Sequence, residues 1–188
     1  MSLYPLFADV LNYPAPGLSE RVNDCASKLA TDLPHAEELL RRFQRAHAKL
    51  GTARLQEIYT STFDMQPECT PNLSYHLFGE DQRRGMFLAK LTELFQQAGI
   101  DTSNELPDHL CYVLLYLATG PGAAATTDII TDCLLPAVSE IARGIDEASN
   151  PYRSVLDALL LFLEKEREDA ATSGKTNPRG SEPIARQG

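Results

Sequence analysis

The sequence predicts an all-α, single-domain helical bundle of eight or nine helices with a disordered C-terminal tail. Three observations carry that expectation. Apolar residues recur at three- and four-residue intervals almost from end to end. No convincing strand and no internal repeat interrupts them. The 188 residues are one domain's worth, enough to bury a real core without disulfide or metal staples. The expected partition is a helical domain over residues 1–170 and a tail over 171–188.

Leu3, Leu6, Phe7, Val10 and Leu11 make a first amphipathic set, ended by Tyr13-Pro-Ala-Pro-Gly17. Val22, Ala26, Leu29 and Ala30 follow on a second helix after Ser19. Pro34 opens a third, with Ala36, Leu39, Leu40, Phe43, His47 and Leu50 on one face and Gly51 as its stop. Leu55, Ile58, Tyr59, Thr62 and Phe63 line a fourth. Two prolines and a glycine between Asp64 and Asp81 then break any continuous helix, so this reads as a loop with one short turn. Phe87, Leu88, Leu91, Leu94, Phe95 and Ala98 form the next helix, stopped by Gly99. The polar connector Asp101 to Pro107 leads into a helix apolar nearly all round, which belongs at the centre of a bundle. Here Pro107 suits the first helical position, and Asp108 the first-turn acid that matches the helix dipole. Gly120-Pro-Gly122 is a break. The helix from Ile129 to Ile141 should kink at Pro136. Pro151 opens a last helix with Val155, Leu156, Leu159, Leu160 and Leu163 inward, and beyond Asp169 periodicity is lost.

Composition excludes several classes. The longest apolar run, Leu110 to Ala118, is far short of the ~20 residues a membrane helix needs. The N-terminus lacks the basic and apolar regions of a secretory signal, so a cytoplasmic protein is expected, with Cys25, Cys69, Cys111 and Cys133 as reduced, buried thiols. The formal net charge of −9 is concentrated in the middle. Residues 55–142 carry twelve acids against Arg83, Arg84 and Lys90, and no Lys or Arg occurs from Leu91 to Ala142. Such a block repels nucleic acid and favours a cationic partner, though a solvated acidic face would look the same.

Catalytic patterns are sparse. Phosphate-cradling glycine loops are missing, and the four histidines show no metal-ligand spacing, so no metal or cofactor is expected. A thiol enzyme with Cys69 as nucleophile and His109 as base remains conceivable, because such pairs meet in space rather than in sequence.

Four strings decide between these readings. Tyr59-Thr-Ser-Thr-Phe-Asp64, Cys69-x-x-x-Leu73-Ser-Tyr75, Gly79-x-x-x-Arg83-Arg-Gly85-Met86 and Glu105-Leu-Pro-Asp-His-Leu110 occur in this order on an all-helical chain. Together they resemble the NarJ branch of the NarJ/TorD family, the cytoplasmic assembly chaperones of molybdenum-cofactor oxidoreductases. The resemblance runs from about Tyr4 to Phe162. It implies a non-catalytic helper, monomer or homodimer, without a cofactor of its own. Its partner would be the catalytic subunit of a molybdenum oxidoreductase, nearest the nitrate reductase type. Binding would be through that subunit's N-terminal segment, a twin-arginine signal or its remnant, held until molybdenum cofactor is inserted. The cofactor insertion machinery is a further implied partner.

Carried over by position, the resemblance implies a peptide-binding region of Tyr59, Phe63, Asp64, Tyr75, Phe78, Glu105, Asp108 and His109. Each has a packing alternative. Tyr59 and Phe63, at i and i+4, suit a core equally well. Asp64 or Glu105 would serve as a turn or helix cap, and His109 would satisfy a core hydrogen bond. Tyr75 and Phe78 lie in a connector, where large aromatics point to function. Arg83 and Arg84 are expected to pair locally with Glu80 or Asp81. A helical adaptor for another cationic peptide would use the same residues.

Overall fold

The computed structural model describes residues 2–102 and 105–174. Helix α1 spans Tyr4–Leu11, α2 Leu18–Leu29, α3 Pro34–Leu50 and α4 Thr52–Tyr59. The last runs directly into a π-helical turn, Thr60–Asp64. After a 3-10 turn at Pro67–Cys69 come α5 (Leu73–Phe78), α6 (Arg83–Ala98) and α7 (Leu110–Ala118). Helix α8 (Ala123–Asp128) passes through a π-helical stretch, Ile129–Leu134, straight into α9 (Leu135–Gly144), and α10 is Tyr152–Gly174. With α8 and α9 taken as one rod, the described residues hold nine α-helical rods and no strand. Among them only Asn72 and His109 form an isolated antiparallel bridge.

Each helix contributes an apolar face to one core. Ala36, Leu40 and Phe43 are fully buried at helical spacing on α3, which lies between α2 and α10. Leu50, expected on that face, is exposed. Helix α1 lies along α7 and α2, and its Phe7 stacks on Phe162 of α10 with ring centroids 5.4 Å apart. The Tyr4 hydroxyl donates to Glu166 Oε2 at 2.9 Å, tying the same two helices at their edge. At the centre Tyr152, at the head of α10, meets the rings of Phe43, Tyr59 and Phe63 at 5.2–5.6 Å. Large aromatic side chains bury the most apolar area per residue, so this cluster anchors α3, α4 and α10 to one another. As expected for its nearly uniform apolarity, α7 buries six of its nine residues.

Four expectations need correction. The 64–81 connector holds a real helix, α5, between Pro71 and Gly79, too short for its periodicity to register. Helix α7 begins at Leu110 with His109 as its cap, so Pro107 and Asp108 lie outside the helix rather than in its first turn. Pro136 does not lie inside one continuous α-helix but at the start of α9. The turn before it is π-helical, with Leu135 N–H bonded to Ile130 O, which absorbs the missing prolyl donor. Residues 171–174, assigned to the tail, continue α10; the rest of the expected tail lies outside the described residues. All four cysteines are free, with Cys25, Cys69 and Cys111 buried and Cys133 half-buried. No helix among the described residues is long and apolar enough to cross a membrane.

Candidate functional site

Helix α1, the π turn after α4, the connector at 70–72 and the start of α7 converge on one cleft of about 500 Å³. Its floor is apolar: Ala8, Tyr59, Phe63 and Cys111 are all buried. Tyr13 and Tyr112 stand at its walls, with the Tyr13 and Tyr59 rings edge to face at 5.4 Å. Asp9, Asp64 and Glu105 form an exposed acidic rim.

Local chemistry places these groups. Tyr59 and Phe63 lie on the inner face with centroids 4.9 Å apart. The π turn is closed by Met65 N–H to Thr60 O at 3.1 Å, and its wider winding leaves Phe63 buried while Asp64 faces solvent. Thr62 holds that turn in place. Its buried hydroxyl donates to Ile58 O at 2.7 Å and accepts from Asn150 Nδ2 at 2.7 Å. On the opposite wall, Leu73 N–H donates to Asp108 O at 3.0 Å and Leu110 N–H to Pro71 O at 2.9 Å, which ties the 70–73 segment to the head of α7.

The electrostatics are one-sided. No Lys or Arg lines the cleft, and none bridges Asp9, Asp64 or Glu105 among the described residues. Burial raises the Tyr59 hydroxyl far above the ordinary phenol range, reinforced by Cys111 and the Asp64 and Glu105 carboxylates. Burial likewise pushes the Cys111 thiol up to about 12. The floor is therefore neutral at pH 7. His109 is held below the ordinary histidine value, because burial outweighs the opposing pull of Glu105, Asp108 and Asp64. Its Nδ1 accepts the Cys111 N–H at 3.3 Å, which keeps that nitrogen unprotonated and the ring neutral. Three unneutralised carboxylates over a neutral aromatic floor can take a basic, partly apolar ligand.

Of the eight residues singled out by sequence, Tyr59, Phe63, Asp64, Glu105 and His109 line this cleft. Tyr75 lines an adjoining hollow of about 240 Å³. Phe78 lines neither; its ring packs on Phe87 at 5.4 Å and lies 5.7 Å from the Arg83 guanidinium carbon. Asp108 is fully buried, with Oδ2 accepting from the Ser74 N–H at 2.9 Å and from the Ser74 hydroxyl. Arg83 pairs with Asp81 at 3.1 Å as expected, whereas Arg84 donates to Ser74 Oγ at 3.1 Å. Cys69 and His109 do not bond to each other. The Cys69 thiol, raised by burial and by Glu68, donates to Gln66 Oε1 at 3.7 Å and does not line the cleft. A thiol raised in this way is a poor nucleophile.

Sequence reasoning missed Asp9, Asn12, Tyr13, Tyr112 and Leu115, all of which line the cleft. Asp9 lies on the exposed side of α1, and Asn12 and Tyr13 lie in the bend just after it; all three fall in a segment of near-zero charge, with nothing local to mark them. Only the packing of α1 on α7 joins that segment to the acidic block.

The family described as nitrate reductase delta subunit matches residues 26–168. Over 129 residues the chain is 31% identical to a Bacillus subtilis (strain 168) protein, "probable nitrate reductase molybdenum cofactor assembly chaperone NarJ", covering 68% of each chain. Over 155 residues it is 26% identical to the Escherichia coli (strain K12) "nitrate reductase molybdenum cofactor assembly chaperone NarJ", covering 80% of this chain and 65% of that one. The chain thus spans about two thirds of the length of these relatives.

Proposed function

The chain belongs to the nitrate reductase delta subunit family, and from that premise we propose that it is a cytoplasmic assembly chaperone for a molybdenum oxidoreductase of the nitrate reductase type. It acts by binding, and makes or breaks no bond. The ligand is the N-terminal segment of the catalytic subunit, a twin-arginine signal or its remnant, seated in the cleft between α1, the π turn and α7. One observation supports this most: an aromatic floor rimmed by Asp9, Asp64 and Glu105, with no Lys or Arg lining it among the described residues. Helix-in-groove recognition asks for that combination of apolar trough and opposite charge. Aromatic rings give contact area at low entropic cost, and carboxylates accept guanidinium in two-point hydrogen bonds. Reversible capture lowers the free concentration of immature subunit until cofactor-loaded folding withdraws the segment.

The test is calorimetric titration with the synthetic N-terminal peptide of a nitrate reductase-type catalytic subunit from the same organism. Asp64→Lys/Glu105→Lys is the informative variant, since both carboxylates are exposed on the rim while Asp108 is buried. Affinity should fall at least tenfold in that variant, and should weaken with salt in the wild type, with helicity unchanged. Equal affinity in variant and wild type would remove the cleft from the binding account. An unrelated basic amphipathic peptide binding as tightly would favour a general adaptor for cationic helices.

A further inference from the structure

The cleft does not end at Phe63. The adjoining hollow shares Phe63, Asp64, Thr70 and Asn72 with it and continues past Met65 to Tyr75 and Arg84. The two hollows adjoin along those four residues as one trough, and outside them their linings carry opposite charge. Asp9 and Glu105 stand at the first end. Arg84 stands at the other, the sole Lys or Arg lining either hollow among the described residues. It is half-buried, and its Nε is held by Ser74 Oγ at 3.1 Å. Neither Nη atom has a hydrogen-bond partner, and no carboxylate lies within ion-pair distance of it among the described residues. Its neighbour Arg83 is engaged by Asp81 instead. Along this second stretch Met65 and Tyr75 are exposed, apolar side chains without a covering element.

We propose that the trough binds its peptide in one direction, with the N-terminal, basic end over Asp9 and Glu105 and the C-terminal end at Arg84. The inference rests on the cleft reading above and adds its polarity. A bound helix carries partial positive charge at its N-terminus and free carbonyls at its C-terminus. Laid this way, its basic side chains and its positive end both meet carboxylates. Its last carbonyls, or an acidic side chain near them, meet the unpaired guanidinium fork of Arg84. The reverse direction sets free carbonyls against Asp9 and Glu105 and leaves Arg84 facing the helix's positive end. Arg84 is therefore the specificity-determining residue for direction, and its ligand is a carboxylate or a helix C-terminus.

Two copies of the same N-terminal peptide, carrying p-benzoylphenylalanine at the first or the last position, read the direction by photocrosslinking to the full chain. The last-position label should capture Met65 or Tyr75, and the first-position label Asn12 or Tyr13. In calorimetry with the unlabelled peptide, Arg84→Gln and Arg84→Glu should weaken binding about tenfold, and Arg84→Lys less than threefold. A reversed or evenly mixed crosslink map, or wild-type affinity in both charge-removing variants, overturns the direction while leaving the cleft reading in place. Absence of any calorimetric binding overturns both. Arg84→Lys and the crosslink map decide the matter even if Arg84→Gln proves unstable through its lost bond to Ser74.

Discussion

Asp108 joins two separate stretches of chain through one carboxylate oxygen and one backbone carbonyl. Its Oδ2 accepts the Ser74 N–H and the Ser74 hydroxyl, and its main-chain oxygen accepts the Leu73 N–H. Both Asp108 and Ser74 have no exposed surface. Asp108→Ala would leave two buried donors unsatisfied, so it should cost about 2–3 kcal/mol, read as a lowered urea midpoint. Asp108→Asn keeps an acceptor and should cost less. His109, one residue on, caps α7 through Nδ1, an arrangement that requires the neutral ring. Because its folded value is depressed, the unfolded chain takes up a proton first as pH falls through the ordinary histidine range. The stabilisation is therefore complete above that range and is lost as pH falls toward the depressed folded value. His109→Asn supplies a cap that does not titrate. Thermal melts from pH 7.5 to 5.5 should show wild type losing more stability than His109→Asn, and parallel curves would contradict the capping account.

Among the elements, long helices were legible and short ones were not. The period of 3.6 placed α3, bounded by Pro34 and Gly51, without error at either end, because proline at the start and glycine at the stop reinforce the apolar pattern. The Gly51 φ of 78° is one that few other residues adopt readily, and its N–H closes the helix onto His47 O at 2.8 Å. Six-residue α5 gave too short a window, and the two π-helical stretches keep a helical sequence pattern while altering the winding. Gly144, ending α9, passed unnoticed for a different reason. It is the point where α9 approaches the 3-10 turn: a Cβ there would lie 3.0 Å from Cys69 Sγ and 3.2 Å from Glu68 O. Gly144→Ala must push those two elements apart and should cost about 1–3 kcal/mol, as overpacking does. Differential scanning calorimetry would record this as a lower Tm, and an unchanged Tm would mean that the contact gives way freely.

At the scale of the whole molecule, the charge distribution and the packing answer different questions. The run without a Lys or Arg from Leu91 to Ala142 announced an acidic surface, and the strings around Tyr59–Asp64 and Glu105–His109 pointed to one part of it. Five of the eight residues drawn from those strings share one cleft. Asp108 could not be told from them by sequence, since an acid beside a helix start reads alike whether it faces solvent or a buried serine. Asp9, Asn12 and Tyr13 were invisible for the converse reason, being distant in the chain and brought in only because α1 packs along α7. By itself, then, the sequence determined the helical class, the core faces, the family and the sign of the surface charge, because periodicity, composition and short motifs are local properties. Tertiary structure alone decided which acids remain unpaired and which are buried, and that the trough carries Arg84 at its far end. Burial and ion pairing depend on which helices touch, and no single segment carries that information.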